Sequence, residues 1–270
     1  MKLKVLVDNN TYIDEYYLGE PAVSYYLEDG DKRILFDTGY SDVFIKNAAS
    51  MDIDLAKLHY LVLSHGHNDH TGGLSHLLKE YENNEDLTII AHPHTFEEKR
   101  MDDILISSPL SLEEIGKNNR VVTTRTPFYI TERLIFLGEI PRVMDYEAKA
   151  PVGIRNSEEG LVEDYVLDDS ALVFTGEEGI YIITGCSHAG ICNIIEYSKK
   201  VTKKDKVAGI IGGFHLFDVN EQVEKTREYL KKQNIPYLYP CHCTSFKVKA
   251  SFLQELNIEE TGVGLVLEWI

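Results

Sequence analysis

Three histidines and one aspartate fall within six consecutive positions of this chain, directly after a short run of mostly aliphatic residues. Such a run, rich in leucine and valine, is typical of a buried strand. The polar stretch that follows, residues 64–73, reads Ser-His-Gly-His-Asn-Asp-His-Thr-Gly-Gly. In extended backbone, side chains two positions apart point to the same side, so His65 and His67 are predicted to converge on one point. Asp69 and His70 leave the turn at another angle and are predicted to serve a second point nearby.

This combination of residue types indicates a metal site. Neutral imidazoles and a carboxylate are the ligands that zinc and similar divalent ions take in proteins. The pair Gly72-Gly73 lets the backbone turn sharply before a helical pattern of apolar residues begins at Leu74. A solvated loop with chance histidines is the alternative, but ten histidines in 270 residues should rarely cluster in this way.

The pattern His-x-His-x-Asp-His after a strand resembles the metallo-β-lactamase superfamily, a set of mostly hydrolytic metalloenzymes. The resemblance extends to a strand-end aspartate, Asp37, and to the segments Gly185-Cys-Ser-His188, Gly212-Gly-Phe-His215 and His242-Cys-Thr. This combination is similar to the branch labelled dihydropterin-ribofuranosylaminobenzene phosphate synthase-like. The resemblance implies an α/β fold, the four-layer αββα sandwich, as a single domain over residues 1–270 with the metal loops along one edge.

The resemblance also implies two divalent metal ions, with zinc as the first choice and manganese or iron as alternatives. The expected ligands of one ion are His65, His67 and His188, and those of the other are Asp69, His70 and His242. The bridging aspartate usual in the family has no obvious counterpart, and Cys186 or His188 occupies that region. The number and identity of the metals therefore stay open. Asp37 is expected to accept a hydrogen bond from a ligand histidine and so to fix its tautomer.

Other polar residues follow predicted strands, and the sequence leaves their roles open. His215 could contact substrate or metal, or it could be a packed histidine with a backbone hydrogen bond. His92 and His94 could line the pocket. Asp168 or Asp169 could replace a ligand that the family usually supplies.

Residues 92–168 form the least regular part of the sequence and contain five prolines. In the superfamily such an insertion often covers the active site and shapes the substrate pocket. Within it, Arg142 and Arg100 are candidate anion contacts, because a guanidinium can bind a phosphate or carboxylate through two hydrogen bonds. An ordinary surface arginine is the alternative for each.

Four cysteines support a competing interpretation. Cys186 and Cys192 form a Cys-x5-Cys spacing, and Cys241 and Cys243 form Cys-x-Cys, both beside the proposed metal loops. A thiolate cluster could therefore hold iron–sulfur or zinc next to the histidines. The spacings do not match the usual ferredoxin runs, and reduced thiols packed near the site are the favoured alternative.

Composition and charge limit the classes of binding partner that can be expected. The net charge of −17 disfavours nucleic acid, since a polyanion would be repelled unless one face concentrated the 27 lysines and arginines. No apolar stretch of about eighteen residues is present, so a membrane partner is not expected. The first residues look like a strand rather than a signal peptide, which makes a cytoplasmic location the default. A small-molecule substrate is expected, and the oligomeric state is open.

Strand-like and helical segments alternate in both halves, which predicts an α/β fold. Predicted strands cover residues 3–7, 24–28, 33–37, 60–64, 87–91, 133–137, 171–175, 179–184, 207–211, 237–239 and 264–269. Predicted helices cover residues 41–49, 74–81, 191–201, 220–232 and 247–256. The helix at 220 should begin with Asn220 as its cap.

The leading functional hypothesis follows from the ligand set. A bound divalent ion lowers the pKa of coordinated water toward about 7, which supplies a metal-bound hydroxide at neutral pH. We therefore expect a metal-dependent hydrolase of a small ester or phosphoester, pterin- or phosphate-bearing by the branch resemblance, with Asp69 steering a proton. An iron-dependent oxidoreductase on the same scaffold is the second hypothesis, although relatives of that kind place a glutamate where this chain has His67. A non-catalytic ligand sensor is the third.

Overall fold

Runs of buried aliphatic residues form the strands of two large sheets in the computed structural model, which describes residues 1–82 and 84–270. The strands in chain order are β1 Lys2–Val7, β2 Ser24–Asp29, β3 Lys32–Phe36, β4 Tyr60–Val62, β5 Thr88–Ala91, β6 Lys99–Met101, β7 Ile104–Leu105, β8 Arg120–Thr123, β9 Phe128–Tyr129, β10 Leu134–Phe136, β11 Ile154–Ser157, β12 Gly160–Glu163, β13 Ala171–Thr175, β14 Ile180–Thr184, β15 Val207–Gly213, β16 Tyr237–Cys241 and β17 Val266–Glu268. The strands predicted from the sequence are present, with ends that differ by up to two residues.

The helices lie outside these sheets. In chain order they are α1 Val43–Ser50, α2 Asn68–Thr71, α3 Leu74–Glu80, α4 Leu112–Gly116, α5 Ile191–Thr202, α6 Glu221–Gln233 and α7 Phe246–Phe252. The side chain of Asn220 accepts a hydrogen bond from the backbone N–H of Val223 at 3.0 Å, which confirms the predicted cap. The last predicted helix ends four residues early, at Phe252. Over the described residues, no helix is long and apolar enough to cross a membrane.

Three apolar layers hold four layers of secondary structure together. Side chains such as Phe36 and Phe174 fill the space between the two sheets. Phe44 and Leu77 pack α1 and α3 against the first sheet, and the second sheet is covered by α5, α6 and α7 in the same way. The order helix, sheet, sheet, helix confirms the αββα sandwich expected from the family resemblance.

The topology brings several strand ends to one edge. The first sheet has the order β17-β1-β2-β3-β4-β5-β8, and the second has the order β16-β15-β14-β13-β10-β9. Strands β3, β4 and β5 run parallel, as do β14, β15 and β16, and β1 shares the direction of β3 because β2 is antiparallel to both. In open α/β sheets, ligands bind outside the carboxyl ends of such strands.

Residues 92–168 are more regular than the sequence indicated, and only part of this region is separate from the core. A small sheet with the order β12-β11-β6-β7 lies within it. Strand β8, by contrast, extends the first large sheet, and β9 and β10 extend the second. Of these strands, β10 was predicted from the sequence, as residues 133–137. The others are two to four residues long, too short for an alternating pattern to be recognised.

Candidate metal centre

The first group of donor atoms comes from three histidines. Donor nitrogens of His65, His67 and His188 all lie within 4.8 Å of one another. Nε2 of His65 is 3.1 Å from Nδ1 of His67, and the ring of His188 lies 4.8 Å from each of the other two rings. Two of these residues follow β4 and the third follows β14, so the group joins the two sheets. The structure brings together the three histidines that the sequence analysis assigned to one ion.

The second group mixes three kinds of donor. Donor atoms of Asp69, His70, Cys186 and His242 lie within 4.8 Å of one another. Nε2 of His70 is 3.1 Å from Sγ of Cys186 and 3.7 Å from Oδ2 of Asp69. The three residues assigned to the second ion are therefore adjacent. Cys186 joins them, in the region where the sequence analysis found no counterpart of the family's bridging aspartate.

Asp37 orients His70, a member of the second group, from the side of the ring that faces away from the other donor atoms. Its Oδ2 lies 2.7 Å from Nδ1 of His70, so this nitrogen carries the proton and Nε2 faces the other donors. The same carboxylate accepts hydrogen bonds from the backbone N–H and the hydroxyl of Ser64, both at 2.7 Å. The hydroxyl of Ser64 is also 2.9 Å from Nδ1 of His65. Asp37 therefore has the position expected of it, behind the donor histidines.

A buried lysine supports the first group. Nζ of Lys99 lies 2.9 Å from Oδ1 of Asp168 and 3.0 Å from Oδ2 of Asp164, and all three side chains are fully buried. The other oxygen of Asp168 accepts the backbone N–H of Gly66, between His65 and His67, at 2.8 Å. A Cβ on Gly66 would lie 2.1 Å from the carbonyl oxygen of Thr95, so only glycine fits there. Asp168 thus fixes the turn between His65 and His67 and belongs to neither group of candidate metal ligands among the described residues.

Sequence reasoning missed two residues that position His242. At the end of β1, Oδ1 of Asp8 accepts the backbone N–H of His242 at 3.0 Å. Oδ1 of Asn9 lies 3.0 Å from Nδ1 of the same histidine, which leaves Nε2 directed at Asp69, 3.3 Å away. The only indication in the sequence was that two polar residues directly follow a strand. This points to the site only when β1 is known to run in the same direction as β3, so that both strands end at the same edge.

The two groups differ in their electrostatics. Burial lowers the pKa of His65, and likewise that of His67 and His188, so these imidazoles are neutral at pH 7. Burial by itself would raise the pKa of Asp69, but the charges of His70 and His242 outweigh it and hold that pKa below its ordinary range. Burial opposes protonation of His70, yet the carboxylates of Asp69 and Asp37 raise its pKa to about 9.

The donor set fits divalent ions. Nε2 of His67 and Nε2 of His188 are buried and have no hydrogen-bond partner among the described residues. Buried polar atoms nearly always have a partner, so two such nitrogens in one cluster point to a metal ligand role. The sulfur and carboxylate of the second group are equally suited to zinc. The assignment of each residue as a ligand stays a prediction.

The remaining candidates lie near this centre or away from it. The ring of His215 is 4.1 Å from that of His188, although His215 belongs to neither donor group in the described part of the chain. Oδ2 of Asp169 accepts the backbone N–H of Ala189 at 2.9 Å, so this carboxylate supports the loop of His188. Burial raises the pKa of Asp169 to about 7.

Residues 92 and 94 belong to a separate polar cluster. Nε2 of His92 lies 3.1 Å from Oε2 of Glu139, and Nδ1 of His94 lies 2.6 Å from Oε1 of Glu97. Neither histidine lines the cleft above the donor groups. Of the roles that the sequence left open, the structure therefore gives no support to pocket lining, because both rings lie beside acidic partners.

The two arginines considered as anion contacts also form hydrogen bonds with other protein groups. The guanidinium of Arg142 donates to the carbonyl oxygens of Tyr165 and Val166. Nε of Arg100 donates to Oε1 of Glu98 at 2.9 Å on the surface. Neither arginine lines the cleft, so their placement gives no support to a substrate contact.

The four cysteines do not converge. Cys186 and Cys243 line the cleft, and Sγ of Cys243 is 3.5 Å from the carbonyl oxygen of Cys186. Cys192 lies in the apolar layer under α5, and Cys241 lies between the sheets with its sulfur 3.1 Å from the hydroxyl of Tyr25. This separation is incompatible with a cluster held by all four thiolates.

The donor groups open into a cleft of about 730 Å³. Donors of both groups reach its floor, among them His67, His188, Asp69 and His242. Part of its wall comes from the small sheet, through Met101 of β6. A cleft of this volume accommodates a small organic molecule.

Comparisons with known proteins agree with this geometry. A family model described as the Metallo-beta-lactamase superfamily matches residues 18–242. The 7,8-dihydropterin-6-methyl-4-(beta-D-ribofuranosyl)-aminobenzene-5'-phosphate synthase of Methanocaldococcus jannaschii is 33% identical over 253 residues, which cover 88% of this chain and 85% of that protein. An uncharacterized protein of the same organism is 32% identical over 270 residues, 98% of this chain and 99% of its own.

A solved structure extends the comparison to three dimensions. The crystal structure of a metal-dependent hydrolase of the beta-lactamase superfamily matches with a TM-score of 0.84 and 28% identity, over 99% of this chain and 98% of that one. Family, fold and motif resemblance therefore agree. The chain belongs to the metallo-β-lactamase superfamily.

Proposed function

We propose that this protein is a metal-dependent hydrolase that cleaves a small ester or phosphoester. The observation that carries the proposal is the adjacency of two donor groups on the floor of one cleft, with unpartnered histidine nitrogens in the first. In such a site, divalent ions lower the pKa of water and polarise the oxygen of the bond to be cleaved. Zinc suits the nitrogen, sulfur and carboxylate donors best, with manganese or iron as alternatives.

The side chains of this protein supply the remaining steps. The carboxylate of Asp69 lines the cleft and is partly exposed, and its lowered pKa keeps it ionised, so it can accept a hydrogen bond from the attacking water and steer the proton that this water gives up. Cleavage forms one bond from that water to the carbon or phosphorus atom and breaks the bond to the alcohol, which takes up the proton as it leaves. Asp37 holds the ring of His70 through Nδ1, which keeps the second donor group in one orientation.

The relatives support the reaction class and suggest a substrate. One similar structure is that of a metal-dependent hydrolase, whereas the relative at 33% identity is a synthase of a dihydropterin-containing aminobenzene phosphate. We therefore include a pterin- or phosphate-bearing ester among the substrates to be tested. The iron-dependent alternative is not favoured, because the four cysteines are separated and the first motif carries His67.

The test combines metal content with turnover. The protein is purified without chelators, its metals are measured by elemental analysis, and phosphoesters and carboxylic esters are screened with and without a chelator. We expect about two equivalents of metal per chain and hydrolysis that chelation abolishes and added zinc or manganese restores. His67→Ala should lose the activity, and His76→Ala, a change of an exposed histidine on α3, should keep it. An iron–sulfur absorption band, or no metal-dependent turnover in the whole panel, would contradict the proposal.

A further inference from the structure

The wall of the cleft differs in chemistry from its floor. Above the donor groups, the wall is formed by apolar and aromatic side chains, namely Pro21, Tyr40, Met101, Ile106, Val152 and Phe217. Three of these, Tyr40, Met101 and Phe217, are about half exposed, at 53%, 47% and 53%. Large apolar side chains left open to water around a concave site usually mark a surface that a ligand covers.

One part of this wall is continuous with the candidate metal centre. The ring of His215 lies 4.1 Å from the ring of His188, which belongs to the first donor group. The ring of Phe217 follows at 4.8 Å from that of His215, in an edge-to-face arrangement. Three aromatic rings therefore lead from the first donor group to Phe217, whose side chain is about half exposed. Aromatic rings of a ligand can stack or pack edge-on against such a series.

The lining of the cleft disfavours substrates whose non-reacting part is charged. Among the described residues that line it, none is a lysine or an arginine, and the one acidic residue is Asp69, a member of the second donor group. A charged group held against the wall would lose its hydration without gaining an ion pair, which is unfavourable. The guanidinium of Arg142, the candidate anion contact, binds carbonyl oxygens elsewhere.

We propose that the cleft selects substrates whose non-reacting part is an uncharged, planar aromatic group, and that Phe217, Tyr40 and Met101 determine this specificity. The cleaved bond lies over the donor groups, and the aromatic part lies against Phe217 and Tyr40 toward the mouth. The proposal rests on the proposed function for the reaction that follows binding. The preference for an aromatic group can be measured without any turnover.

The first experiment compares two phosphomonoesters whose alcohols are equally good leaving groups, benzyl phosphate and 2-hydroxyethyl phosphate, and the two corresponding acetates. We expect kcat/KM to favour the benzyl ester by about tenfold or more, the discrimination that one apolar group provides in a pocket. Phe217→Ala and Tyr40→Ala should lower this ratio, mainly through KM. Phe246→Ala and Tyr129→Ala replace exposed aromatic residues that do not line the cleft, so they should leave the ratio unchanged.

The second experiment measures binding alone. The metal-free protein is titrated with 2-naphthol, and ligand line broadening is followed by NMR. We expect saturable binding that Phe217→Ala weakens and Phe246→Ala does not. Binding without hydrolysis of any ester would support the aromatic cleft and contradict the proposed function. Metal-dependent hydrolysis with equal kcat/KM for both members of each ester pair would overturn the specificity and leave the proposed function standing.

Discussion

The two donor groups of the candidate metal centre lie side by side but are built differently. The first contains three imidazoles that burial keeps neutral, whereas the second combines a carboxylate, an imidazole, a thiol and a second imidazole. The second group is therefore the more anionic and should hold a divalent ion more strongly through charge. The first relies on geometry, because neutral nitrogens bind well only when they already point at one place.

The supports of the two groups also differ. The second is held by core strand ends, through Asp37 after β3 and Asp8 after β1. The first depends on Lys99 of the small sheet, which fixes Asp168 and through it the backbone N–H of Gly66. The candidate metal centre thus rests partly on the two large sheets and partly on the small sheet. Damage to each support should then act on one group more than on the other.

The largest effect is expected from Asp69→Asn, which removes the anionic donor while keeping the size of the side chain. We expect turnover to fall by about a thousandfold or more, since a lost ion removes several kcal/mol of stabilisation from the transition state. Metal content should drop by one equivalent, because the first group is left intact. Elemental analysis and kinetics measure both, with Asp42→Asn, a change of a partly exposed aspartate paired with Lys46, as control. Loss of both ions together would show that the groups are not independent.

The next effect concerns stability. Lys99→Met leaves Asp164 and Asp168 buried without a cation, which should cost about 3–5 kcal/mol of unfolding free energy. Urea denaturation of metal-free protein measures this loss. Lys57→Met is the matched control, because Lys57 pairs with Asp54 on the surface and should change stability by less than about 1 kcal/mol. Similar values for the two variants would contradict the buried support.

A smaller effect is expected from Asp37→Asn, which removes the acceptor for Nδ1 of His70. Metal affinity should fall by about 10- to 100-fold, as for other residues that orient a ligand histidine. The loss should be greater at the second group, and competition with a chromogenic chelator measures it. Asp29→Asn changes a buried aspartate on β2, where Arg133 and Thr131 are its partners, and should not alter metal affinity. Equal losses of metal affinity in the two variants would show that Asp37 has no specific role in orienting a metal ligand.

The smallest effect concerns acid pH. Burial alone would raise the pKa of Asp168, but the ammonium of Lys99 outweighs it and lowers that pKa to about 2, against about 3.9 in an unfolded chain. Because the folded state binds this proton less well, the carboxylate contributes its full stability above pH ~4 and loses it as the pH falls toward 2.

The matching measurement is the unfolding free energy at pH 5 and at pH 2.5. In Asp168→Asn, the decrease between these two values should be smaller than in the wild-type protein by about 2 kcal/mol. Asp103→Asn, on the surface, should show the wild-type decrease. A decrease that is the same in all three proteins would mean that the Lys99 pair does not set the acid sensitivity of the fold.

How much could be predicted from the sequence depended on how far apart along the chain the interacting residues lie. The motif from His65 to His70 is local, so its spacing was enough to predict two groups of donors. Residues 92–168 were predicted poorly because their short strands owe their positions to distant partners, as when β11 pairs with β6. The positions of His92 and Arg142 could not be read from the sequence for the same reason.

The sequence by itself determined the fold family, the main strands and helices, and most members of both donor groups. These are properties of local pattern, in which a buried strand ends and polar side chains follow it. Only the tertiary structure decided that Cys186 completes the second group, that Lys99 and Asp168 hold the first, and that Phe217 belongs to the wall of the cleft. These depend on which strand ends meet at one edge, and a one-dimensional pattern does not carry that information.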